Sequence, residues 1–266
     1  MLIKNEEYPG RALTEKISLD KDGALSKIGG MEYDYSNSSA YIQEQSAEHI
    51  ATKIRTYMNK VYAWLALSLV VSAGSAIYVE SDYGLLEQTL NNRMVLAITT
   101  LGIVLVMCFA ANKLTAGALK VLLLAYSVLQ GVLFAPFLMV FSNHSLGVTF
   151  ACTAGMFGAM ALYGMTTKRN LSGMGRTLLM LLIGLIIASL VNLFVGGGTM
   201  TLVISIAGIV IFSLFTAYDF QRLQEEGAIY DDATLREKGA ILGALNLYIN
   251  FYNLFLYLLR FLGDRE

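Results

Sequence analysis

Residues 215–224 read FTAYDFQRLQ and set one carboxylate, Asp219, at the end of a long uncharged apolar run. From Thr201 to Tyr218 there is no Asp, Glu, Lys or Arg, and the run is long enough to cross a hydrocarbon core as a helix. An ionisable group at mid-bilayer costs about 2.5–3.5 kcal/mol on insertion scales, so one that is kept there is a candidate functional group. The competing reading puts Asp219 at the cytoplasmic interface, where it is merely solvated.

The surrounding composition makes this a membrane protein. Of 266 residues, 56% are hydrophobic and only 15% charged, and the mean hydropathy is +0.57; a soluble domain of this length needs far less apolar content. Of the 39 charged residues, 17 precede position 61, and most of the rest punctuate apolar blocks. A net charge of -1 without any Lys/Arg-rich run leaves no electrostatic footprint for nucleic acid. The two cysteines, Cys108 and Cys152, fall in different apolar blocks and read as buried free thiols, and the two histidines, His49 and His144, have no companions at metal-ligand spacing.

Seven apolar blocks follow one another at 57–79, 94–111, 118–141, 146–165, 178–195, 201–218 and 240–262. Strand alternation is absent and the bilayer leaves no backbone group unsatisfied, so the expected fold is an all-α membrane protein, a seven-transmembrane-helix bundle spanning 48–266. Residues 1–47 are rich in Asp, Glu, Lys, Gly and Ser and read as a flexible cytoplasmic tail, with no apolar segment of a cleaved signal. Between them, Ile50, Ile54, Tyr57 and Val61 recur at helical spacing, either as an interfacial amphipathic helix or as the basic lead-in to the first span.

Lys and Arg gather in alternate connections: Lys53, Arg55 and Lys60; Lys113 and Lys120; Lys168, Arg169 and Arg176; Arg222, Arg236 and Lys238. The other connections hold Arg93 among acids, His144, and Gly196 to Gly198. The positive-inside rule then gives a cytoplasmic N-terminus and an exterior C-terminus. Small residues four apart, Ala154/Gly158, Gly184/Ala188 and Gly239/Gly243, suit close helix packing, and Pro136 predicts a kink or break in the third block.

No nucleophile–base pair or HExxH motif appears, so the reading is of a non-enzyme, without a cofactor. Polar groups in the spans gather instead in the last two blocks. Asp219 closes one, and Asn246, Asn250 and Asn253 lie four and three apart on one face of the other. Such a face must point at a protein interior or a watery path.

Four stretches, FGAMALYGMTTKRNLSGMG (157–175), LLIGLIIASLVNLF (181–194), AYDFQRLQ (217–224) and ALNLYINFYNLFLYLLRFLG (244–263), resemble the Bax inhibitor-1 (transmembrane Bax inhibitor motif) family. The similarity covers about residue 50 to the end. It implies a seven-helix bundle with the last helix central and, as in bacterial members, a pH-sensitive calcium leak in the inner membrane. The resemblance also implies an acidic pair in the sixth and seventh spans and a basic latch near the end of the second. These positions fall on Asp219, Asn250 and Lys113. The departure is Asn250, in LYIN where the family shows LYLD. Two contacting carboxylates share a proton and titrate as a pair, whereas an Asn amide can bond Asp219 and offer its carbonyl to Ca²⁺ but adds no second ionisation. The expectation is therefore a calcium leak with Asp219 and Asn250 as ion site, Ca²⁺ as permeant or bound ion, and a blunted pH response. A second reading from the same resemblance is an interaction protein that modulates proteolysis or cell-death and stress responses through membrane protein partners.

Overall fold

The computed structural model describes residues 26–28, 31–33 and 35–263, with side-chain surroundings from Glu44 onward. Most of the expected tail, 1–47, lies outside the described residues. What is described there is an antiparallel pair, β1 (Ser26–Ile28) and β2 (Met31–Tyr33), followed by the start of α1 (Tyr35–Glu80). The chain divides at Ile50 into two compact units, and the second, from Ala51 on, holds the membrane bundle.

α1 runs without interruption through the Ile50–Val61 stretch, so that stretch is continuous with the first span and not a separate interfacial helix. Tyr57, Met58, Val61 and Leu65 face the protein core, which explains their helical spacing. After α1 the chain forms α2 (Tyr83–Asn91) and α3 (Arg93–Phe109), which meet at a 75° bend. α2 is an addition to the expected plan, because its sequence reads as a polar connection. Its cause is local: Asp82 Oδ1 accepts from the backbone N–H of Gly84 (2.8 Å) and Leu85 (3.3 Å), capping the first turn, and Leu86 packs on Val79 and Ala135. Among the described residues six helices are long and apolar enough to cross a membrane, and the bent α2–α3 pair, taken as one span, brings the number to seven.

The remaining spans are α4 (Ala116–Val140), α5 (Asn143–Thr166), α6 (Met174–Val195), α7 (Gly198–Ile229) and α8 (Ala233–Leu262). Thr115, Ser142 and Asp232 cap α4, α5 and α8 with side-chain oxygens. Pro136 lies inside α4 without breaking it. The turn into α7 needs Gly196 and Gly197, whose φ values of 65° and 139° exclude ordinary side chains. α7 continues eleven residues beyond Tyr218, so Asp219 is inside a helix and not at its end.

α8 is the central helix. It packs against α4, α5 and α7, and Tyr248 Oη on it shares a 2.6 Å hydrogen bond with Ser72 Oγ on α1. In the most apolar window of α8, 61% is buried inside the bundle, against 11% in α6. The basic connections meet at one end: Lys53 pairs with Asp231, Lys120 with Glu237, and Lys238 Nζ donates to the Ala111 carbonyl at 3.4 Å. Cys108 and Cys152 are on the outer surface of the bundle rather than buried; their blocks are apolar because they face outward.

Of the three small-residue pairs, only Gly239/Gly243 is tightly packed, against Tyr230 and Leu223; Gly158 and Gly184 face open space. Close backbone approaches lie elsewhere, at Gly131 and Gly164, where an added Cβ would stand 2.2 Å from the carbonyl oxygens of Ser72 and Ala217; at Gly164 the neighbour is α7. The Ala217 oxygen belongs to rigid helix and cannot step aside. Gly164→Ala should therefore destabilise the bundle by about 3 kcal/mol, the upper end for overpacking, while Gly184→Ala is neutral or slightly stabilising. Thermal unfolding of the two variants in detergent checks the contrast.

Candidate functional site

α7 and α8 form an antiparallel hairpin joined through Tyr230–Asp232, and their facing positions follow one register. Gly208 lies under the Tyr257 ring, Asp219 meets Asn250, and Leu223 fills the space left by Gly243. This register puts Asp219, the first carboxylate of α7, against the amide of α8. Asn250 Nδ2 donates to Asp219 Oδ2 at 2.6 Å, and the two side chains belong to residues 5% and 7% exposed. Asp219 is thus a buried, partnered group, which excludes the merely solvated reading.

The pair opens on a cleft of about 310 Å³ between α6, α7 and α8. Leu179, Leu182, Phe212 and Phe215 give it an apolar wall, and Asp219, Arg222, Asn246 and Asn250 a polar one. Gly175, at the start of α6, admits the Tyr218 ring, since a Cβ there would lie 2.6 Å from its hydroxyl oxygen. A second recess of about 230 Å³, lined by Ser172, Gln221 and Glu225, shares Tyr218 and Arg222 with the first. Of the three expected asparagines, Asn246 and Asn250 line the cleft, whereas Asn253 Nδ2 donates to the Ile249 carbonyl of its own helix at 2.8 Å.

Chemically the cleft offers one carboxylate and two amide carbonyls, oxygen donors of the kind a hard cation takes. Among the described residues no group of three or more His, Cys, Asp and Glu forms a metal cluster. A cation at Asp219 would keep most of its water.

Lys113 stands exposed in the turn between α3 and α4, and no ion pair joins it to Asp219 among the described residues. The cation beside Asp219 is Arg222, one turn further along α7. Its Nε donates to Glu226 Oε1 at 2.9 Å, and Tyr57 Oη on α1 donates to Glu226 Oε2 at 3.1 Å. Sequence reasoning missed these three. The spacing of Asp219, Arg222 and Glu226 at i, i+3 and i+7 was the available signal for a shared helix face, but a basic residue after an apolar span reads first as topology.

Gln221 was also missed, and no local pattern marks it. Its Oε1 accepts from the Leu171 N–H at 2.6 Å and its Nε2 donates to the Arg169 carbonyl at 2.9 Å, so one amide clamps the α5–α6 connection onto α7.

A family model described as inhibitor of apoptosis-promoting Bax1 matches residues 54–266. The chain belongs to that family. Within the Bax inhibitor family it is 41% identical over 218 residues to the inner membrane protein YbhL of Escherichia coli K12, covering 80% of this chain and 93% of YbhL. It is 36% identical to an uncharacterized protein of Deinococcus radiodurans, over 80% of this chain and 93% of the relative. A third relative, an uncharacterized membrane protein of Streptococcus pyogenes serotype M1, is 33% identical over 80% of this chain and 94% of its own length. Like them in extent, this chain is a multi-pass integral membrane protein whose family region contains Asp219, Asn250, Arg222, Glu226 and Tyr57.

The Gln221 clamp makes a prediction about this end of the bundle. Gln221→Ala removes two hydrogen bonds to backbone, each worth about 1 kcal/mol net, and should speed tryptic cleavage after Lys168 and Arg169 by roughly tenfold. Limited proteolysis in detergent, read by the fragment masses, tests it.

Proposed function

We propose that the protein is a calcium leak channel or transporter of the bacterial inner membrane, with the Asp219–Asn250 pair as its cation site. The observation that carries this reading is a carboxylate 7% exposed, bonded to an amide at 2.6 Å and opening on a cleft of about 310 Å³. Burying a carboxylate inside an apolar helix is expensive and adds nothing to packing that a Leu would not supply. A cation passing through the cleft is what makes such a group useful. Family membership supports the assignment, and the Escherichia coli relative, an inner membrane protein, supports the inner membrane. The basic connections gathered at one end support a cytoplasmic N-terminus.

On this reading Asn250 sets the pH behaviour. A single carboxylate titrates as one site, whereas a second carboxyl within hydrogen-bond reach shares a proton with the first and makes the response steeper. Lys113 does not line this cleft, whereas Arg222 does and is the cation placed to compete.

Calcium flux into proteoliposomes at about pH 6, 7 and 8 tests the proposal. Wild type should show flux with a shallow pH dependence, Asp219→Asn should lose it by about tenfold or more, and Asn250→Asp should steepen the pH profile. Wild-type flux that survives Asp219→Asn would remove Asp219 from the path and sink the reading.

A further inference from the structure

The cleft contains its own competitor for an entering cation. Arg222 lies one turn from Asp219 on α7 and lines the same cleft. Residues three apart on a helix are neighbours, so a guanidinium at this position can fold back on the carboxylate and cancel its charge. In the structure it is engaged in the other direction. Its Nε bonds Glu226 Oε1 at 2.9 Å, and the opposite oxygen of Glu226 accepts from Tyr57 Oη at 3.1 Å.

This is more than an i,i+4 pair on a helix surface. Tyr57 is 0% exposed, and its ring stands edge-on to Tyr230 with centroids 6.0 Å apart. Gly227 and Gly239 leave room for it, since a Cβ on either would lie 2.9 Å from its ring or 3.1 Å from its hydroxyl oxygen. A rigid side chain of α1 therefore fixes where the Glu226 carboxylate can be. The Glu226 side chain is 20% exposed and that of Arg222 50%, so the fixed partner is the acid and the movable one the base. With Arg222 balanced by Glu226, Asp219 leaves the cleft one net negative charge. With Arg222 turned to Asp219, the cleft is neutral and a divalent ion has nothing to neutralise.

We infer that Glu226, anchored by Tyr57, is a positioning residue that holds the Arg222 guanidinium off Asp219 and so keeps the Asp219–Asn250 cleft open to a divalent cation. This rests on the cation-site reading above and adds to it a counterion that decides occupancy.

The test uses the full chain and two readouts. In proteoliposome flux measured over a series of Ca²⁺ concentrations, Glu226→Gln should raise the half-saturating concentration about tenfold, moderated because Arg222 is half exposed. Tyr57→Phe, which keeps the ring and loses the hydroxyl, should raise it about threefold. Adding Arg222→Gln to Glu226→Gln should restore the wild-type value, a rescue that a purely structural role of Glu226 would not give. The second readout needs no transport. A double-mutant cycle of Asp219→Asn and Arg222→Gln on the thermal midpoint in detergent should show weak coupling in the wild-type background and clearly stronger coupling with Glu226→Gln.

If wild type moves no calcium and the coupling still grows with Glu226→Gln, the positioning role stands and the leak reading falls. If calcium moves with the same half-saturation in wild type and Glu226→Gln, the leak stands and the positioning role is overturned. Coupling that does not change with Glu226→Gln overturns it as well.

Discussion

The hydrogen bond from Asn250 to Asp219 is the constraint around which the last two helices are arranged. A carboxylate on a membrane helix has to be matched by a donor, and the match has to come from another helix when its own backbone is fully used. α8 supplies the donor, and its amide can approach to 2.6 Å only where the two helices are in register. The same register sets Gly243 opposite Leu223 and Gly208 under Tyr257, so the packing on either side of the polar pair is apolar and close. Shifting α8 by one turn would strand Asp219 and create clashes at both glycines. The pair is thus a specificity device for the hairpin as well as a chemical site.

At the two extremes of the bundle burial and hydropathy run in opposite directions, although α7 combines a hydropathy of 2.3 with 44% burial. The window of α6 has the highest mean hydropathy of the six spanning helices, 2.8, and only 11% of it is buried; α8 has the lowest, 1.4, and is 61% buried. In water the order would be reversed. In lipid there is no hydrophobic gain in bringing apolar faces together, so the most apolar helix is left outside. The helix carrying Tyr248, Asn250 and Tyr252 goes inside, where its polar groups find partners such as Ser72 and Asp219. The central position of α8 is a consequence of its polarity.

The sequence made the bundle readable because the spans are apolar runs set apart by charged or Gly- and Asn-containing connections, and a run of about twenty such residues has one structural outcome in a bilayer. It hid α2 because a nine-residue helix depends on a cap at Asp82 and on Leu86 reaching Ala135 across the fold. It hid the tight glycines for a similar reason. Gly164 matters through the Ala217 carbonyl, whereas Gly158 and Gly184 have the expected spacing but would admit a Cβ without contact. At the site, Asp219 and Asn250 were visible as polar residues in apolar surroundings. Glu226 and Tyr57 were not, because they are joined across 169 positions of chain, and Arg222 was absorbed into the reading of topology.

On the proposed function, an amide where a second carboxylate could stand changes which variable controls the cleft. Two acids in contact hold a proton between them, and the charge offered to a cation then follows pH. Asp219 with Asn250 has no such shared proton. On the proposed function its charge is modified instead by the Arg222 guanidinium, which lines the same cleft and is bonded to Glu226. Because Tyr57 belongs to α1, any displacement of α1 relative to α7 moves Glu226's anchor and with it the guanidinium bonded there. On the proposed function, occupancy of the cleft is then coupled to the packing of the first helix against the seventh rather than to protonation alone.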